Sequence, residues 1–85
     1  SKGARKRRNA AMKQATKQLA RAAASIDQLE SSVAQIRAAV KEALARDPAF
    51  APAAVQTDAR VVDAEANIQT AKTELASLTA QYNQM

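Results

Sequence analysis

The side chains able to do chemistry are few and of a narrow kind. The 85 residues include no Cys and no His, which excludes disulfides, thiolate metal sites and the commonest general base and transition-metal ligand. Carboxylates remain. Asp27 and Glu30 lie one helical turn apart, and Asp58 and Glu65 lie two turns apart along one edge. General acid–base work needs such a pair beside a cleft that tunes its protonation and holds a substrate within reach. Neither pair has a His or a Gly-rich loop near it in the sequence, so solvated or salt-bridged faces are expected. The one Tyr, Tyr82, falls in a packing pattern described below, with its hydroxyl free to reach the rim. These observations predict a non-enzymatic chain with no catalytic residue, no metal, no cofactor and no small-molecule substrate.

Cations carry a different chemistry. Lys2, Arg5, Lys6, Arg7, Arg8, Lys13, Lys17 and Arg21 precede the first acid, Asp27, so the first 26 residues carry +8 and the rest −3 within a net charge of +5. Such a cluster releases counterions when it meets a polyphosphate, and it binds without sequence preference. Lys13, Lys17 and Arg21 stand at steps of four, on one helical face. No aromatic residue lies among them, so base stacking is not expected and any nucleic-acid contact is to the backbone. An acidic protein surface is the alternative partner, and solvation alone the plainest reading. An anionic membrane fits less well, because the segment has no bulky apolar anchor.

The elements that must hold these groups follow from composition. Ala occupies 23 positions, against one Gly and two Pro, one Phe, one Tyr and no Trp. Helix is therefore the favoured backbone state, and a thick core is excluded. From Met12, apolar residues recur at alternating steps of three and four through Ala15, Leu19, Ala22, Ile26, Leu29, Val33, Ile36, Val40 and Ala43. That is the 3.5-residue repeat of a coiled-coil seam. Pro48 and Pro52 interrupt it, since proline removes a backbone donor and restricts the residue before it. A second seam of equal length runs through Ala54, Thr57, Val61, Ala64, Ile68, Ala71, Leu75, Leu78, Tyr82 and Met85.

The expected class is all-α: an antiparallel two-helix coiled-coil hairpin with a basic N-terminal arm. The arm covers 1–9, without a fold of its own and with Asn9 as N-cap. Helix 1 covers 10–46, a proline-containing turn 47–52, and helix 2 53–85, all as one domain. A short link between equal helices brings positions summing to about 100 level with each other, so Ile36 faces Ala64, Leu29 faces Ala71 and Ala15 faces Met85. About 35 residues per helix give a rod near 50 Å long. At the turn end, Lys41 and Arg46 close one helix while Asp58, Asp63 and Glu65 come early in the next, which suits both macrodipoles. Phe50 is expected to plug the tip rather than stand exposed. The faces away from the seam are rich in Ala, with Val55 and Val62 among them. They suit either plain helix propensity or contact with neighbouring copies, which so thin a core calls for.

The start Ser1-Lys2-Gly3-Ala4-Arg5-Lys6-Arg7-Arg8, running into an Ala/Gln-rich helix, resembles the N-termini of small virion proteins of tailed bacteriophages, portal-associated or internal and ejected. The prolines of the turn make the outline similar to type III secretion needle subunits, which usually start acidic or polar. The second helix resembles the hairpins of periplasmic efflux adaptors, whose flanking domains have no counterpart here. The expected function is a structural assembly subunit of a virion or similar nucleoprotein assembly, homo-oligomeric or joined to other subunits, its basic end on nucleic acid or an acidic partner. The alternatives are a stand-alone sequence-nonspecific nucleic-acid-binding module and a secretion-needle-like filament subunit. With no apolar stretch of membrane-spanning length and no secretory signal pattern, a virion or cytoplasmic location is expected.

Overall fold

The structure, a computed structural model, describes residues 2–84. It is all-helical among those residues. Helix α1 spans Lys2–Arg46, a single 3-10 turn spans Pro48–Phe50, and helix α2 spans Ala51–Asn83. Met85, the last position of the second seam, lies outside the described residues.

Two ion pairs and a small apolar cluster join the two helices. Arg37 pairs with Glu65, and Lys72 Nζ donates to Glu30 Oε2 at 2.6 Å. Both pairs have residue numbers that sum to 102, two above the expected register. As α1 is followed toward its C-terminus, its partners on α2 therefore fall in number. Val33, Val61 and Ile68 form the core cluster, with Ile26 and Ala64 packed against it. Val40 and Ala54 complete the buried set. Met12, Leu19, Leu75 and Tyr82, all seam positions, are half-buried.

Three expected seam residues depart from the pattern. Leu29, Ile36 and Leu78 are 54%, 47% and 44% exposed. Writing the repeat as heptads, Ile26, Val33, Val40, Val61 and Ile68 all occupy the first core position, and the three exposed residues all occupy the second. The small members of the second row, Ala15, Ala22, Ala43, Thr57, Ala64 and Ala71, are half-buried, and its large members are the ones left exposed along one margin.

The turn forms a little differently from the sequence reading. Asp47 leaves the helical region at φ −146°, ψ 106°, and its carboxylate accepts from the Ala49 N–H at 3.0 Å. The Asp47 N–H closes the end of α1 on the Ala43 carbonyl, and the Phe50 N–H bonds the Asp47 carbonyl, both at 3.0 Å. Pro52 lies inside the first turn of α2, where its missing N–H costs nothing. Phe50 is half-buried at the tip. The macrodipole reading of Asp58, Asp63 and Glu65 does not hold, because the first turn of α2 contains no acid and the dipole acts only within about one turn of the end. Asp47 is the acid that matters there. Replacing it with Ala is expected to cost about 1 kcal/mol, read as a lower urea midpoint; an unchanged midpoint would show that the cap contributes nothing.

The cross-helix ion pairs are exposed, with side chains between 37% and 53% accessible. They set register more than stability. A double-mutant cycle on Arg37→Gln and Glu65→Gln is expected to return a coupling of at most about 1 kcal/mol, and a value several times larger would contradict this reading.

Candidate nucleic-acid interface

The largest departure from the sequence reading is at the basic end. The expected arm is helical: α1 begins at Lys2, and Asn9 lies inside it rather than capping it. Lys, Arg and Ala all favour helix; Gly3, in the first turn, opposes it most, and Asn9 less. Helix across residues 2–9 also lengthens the molecule, whose longest dimension is 70 Å rather than about 50 Å.

Continuity of the helix arranges the charges. At about 100° per residue, Lys2, Lys6, Lys13, Lys17 and Arg21 fall within an arc of about 100°. They form one stripe about 28 Å long. Lys2 and Lys6 join the stripe only because the backbone between them and Lys13 is helical, which the sequence reading missed by leaving that segment without structure. Arg5, Arg7 and Arg8 point to other sides of the same turns. The stripe lies roughly 100° or more around the helix from Met12 and Leu19, away from the seam.

All eight cations are exposed. Among the described residues none of them makes an ion pair, whereas Arg37, Arg46 and Lys72 each have a carboxylate partner. Like charges at steps of four repel by a few tenths of a kcal/mol each, and positive charge in the first turns opposes the helix dipole. The first turn of α1 contains no acid to offset either effect. These positions therefore weaken the helix that carries them.

In register with the ion pairs, Asn83 stands near the level of Leu19, and a shallow groove joins Ala23 and Ile26 to Thr79 and Asn83. Described residues of α2 accompany α1 only to about that point, and the helix from Lys2 to about Gln18 projects past them. Apart from half-buried Met12 and Ala15 the described residues of this segment are exposed, and a helix so exposed can enter a groove of nucleic acid or lie on a flat acidic surface.

Glu30 and Glu65 are bound in the cross-helix pairs. Among the described residues no group of three or more His, Cys, Asp or Glu could hold a metal ion, and no helix is long and apolar enough to cross a membrane. The hydroxyls of Thr16, Thr57, Thr70, Thr73 and Thr79 each donate to the backbone carbonyl four residues earlier. Compared with known proteins, the chain matches no family model, no curated protein and no solved structure.

Proposed function

We propose that the chain is a non-enzymatic structural subunit of a nucleoprotein assembly, such as the virion of a tailed phage. It would be an antiparallel coiled-coil hairpin that assembles through its rod and contacts nucleic acid through its basic end. The observation that carries this reading is the stripe of Lys2, Lys6, Lys13, Lys17 and Arg21 on a projecting helix, exposed and, among the described residues, without an ion-pair partner. A surface that costs stability and is matched by no carboxylate among the described residues is a surface for something else. Polyphosphate suits it better than an acidic protein, because the stripe repeats cations along a line without any apolar or aromatic anchor to fix a particular protein partner. The hairpin reading is supported by the falling partner numbers of the ion pairs and by burial of one heptad position on both helices. The phage setting is supported by the resemblance of the first twenty or so residues alone.

The test separates assembly from binding. Light scattering on the full chain is expected to give a mass above the 9.0 kDa of one chain at both low and moderate salt. Removing residues 2–8 is expected to leave that mass unchanged while DNA capture drops by at least tenfold. A monomeric chain that loses only its DNA binding would instead favour the stand-alone binding module.

A further inference from the structure

We propose that the side of the rod bearing Leu29, Ile36 and Leu78 is the contact face of a two-fold dimer. The occupant is a second copy of this chain, laid antiparallel, and the product is a four-helix bundle. This rests on the assembly reading above and specifies its first step.

Grooves run along both long sides of the rod. Both cross-helix ion pairs, Arg37 with Glu65 and Lys72 with Glu30, lie on the side next to the first core row, where their side chains line the grooves. The opposite side is a groove with Ile26, Leu29, Ala64, Ile68 and Ala71 in its wall and Asn67 at its margin; no cross-helix ion pair borders it among the described residues. Along the middle of the rod its flanking positions are Ser25, Gln28, Ser32, Gln35, Asn67, Thr70 and Glu74. Glu74 is the one charge among them, so a second such face can approach it with little like-charge repulsion.

Area points to a copy of the chain rather than an occasional visitor. A compact monomer of 9.0 kDa would expose about 4,900 Å², and this chain exposes 6813 Å². A standard dimer interface removes about 800 Å² from each partner. The surplus is more than enough for one such interface, and the exposed second core row is the part of it that a two-helix rod should have buried. Closing two of these rods face to face places that row in the centre of a bundle.

Charge then selects the direction. A parallel dimer would set two +8 ends side by side. In an antiparallel dimer centred between Leu29 and Ile36, Lys17 and Arg21 of one copy come level with residues 41–61 of the other. That stretch carries Glu42, Asp47 and Asp58 against Lys41, Arg46 and Arg60, a net charge of zero, so the repulsion of the parallel arrangement is relieved. The projecting basic helices leave the bundle at opposite ends, free for nucleic acid.

Sedimentation equilibrium on the full chain tests this. A mass twice the 9.0 kDa of one chain is expected, with a thermal midpoint that rises as concentration rises. Leu29→Glu with Ile36→Glu is expected to weaken dimerisation by at least 100-fold. Val55→Glu with Val62→Glu, on exposed positions of the other side, should change it less than threefold. Because the first pair would also unfold a chain stable only as a dimer, Ser32→Cys supplies a second reading. Near the two-fold axis it should oxidise to a covalent dimer, while Ser77→Cys, far from the axis, should not. A monomer at millimolar concentration overturns the proposal, as does a dimer indifferent to the Leu29 and Ile36 changes or one linked equally well through Ser77→Cys. The assembly reading fails separately, through loss of the oligomer on removal of residues 2–8 or through absence of any salt-dependent DNA binding.

Discussion

Raising salt from 50 to 200 mM is expected to weaken binding of duplex DNA by between about 500-fold and about 20,000-fold. The range follows from the geometry of the basic helix. Each phosphate neutralised contributes about −0.9 to the slope of log affinity against log salt. Contact through the stripe alone, with five cations, gives a slope of about −4.5; engagement of Arg5, Arg7 and Arg8 as well raises it to about −7. Removing residues 2–8 deletes Lys2, Arg5, Lys6, Arg7 and Arg8 and leaves Lys13, Lys17 and Arg21, for which the slope should fall to about −2.7. Random and defined sequences should bind alike, because no aromatic residue lies in the segment to stack on bases and read them. Fluorescence anisotropy on a labelled 20-base-pair duplex at four salt concentrations measures all of this. A slope near zero, or one unchanged by the truncation, would remove nucleic acid as the partner and leave an acidic protein surface in its place.

The site was half legible in the sequence. Which residues carry the charge could be read directly, since no acid precedes Asp27. How they are arranged could not. Eight residues with five cations and a Gly read as an extended arm because repulsion and the helix dipole both oppose helix there. Those effects amount to a few tenths of a kcal/mol per residue, and the helical segment that follows, from Asn9 onward, supplies a nucleus that has already met the main cost of starting a helix. Continuing an existing helix through Arg, Lys and Ala is easier than beginning one there, so the stripe that unites Lys2 and Lys6 with Lys13 was out of view.

The pairing of the helices was more legible than their margins. The alternating three and four spacing identified Val33, Val40, Val61 and Ile68, all of them buried, because a 3.5-residue period fixes which residues can face a partner. The same period treats both core rows as equivalent. Only the number of helices present decides whether the second row is covered, and that number is not written in the spacing. Leu29, Ile36 and Leu78 were therefore placed on the seam by spacing alone, whereas in the structure they stand 54%, 47% and 44% exposed. Register was left open by about half a turn in the sequence, since apolar knobs interleave in more than one way. Arg37 with Glu65 and Lys72 with Glu30 select among those ways, and no single-helix spacing names such partners.

Ile68→Ala is expected to be the most damaging single truncation in the rod, at about 2–5 kcal/mol. Ile68 is 4% exposed and belongs to the core cluster with Val33 and Val61. It is the largest residue in the buried set, and the cluster around it, Val33, Val61, Ile26 and Ala64, is too thin to close the hole left by truncation. Two long helices with so few fully buried side chains have little stability in reserve, and a chain of this length typically has about 4–13 kcal/mol in total. The loss is thus a large part of the whole. Val62→Ala is the matched control: Val62 is 57% exposed on the same helix, six residues away, and its replacement by the better helix former should change stability by less than about 0.5 kcal/mol. Urea midpoints at one fixed protein concentration compare the two. Equal midpoints for Ile68→Ala and Val62→Ala would mean that the first core row does not hold the helices together, and that the exposed stripes rather than the buried one carry the fold.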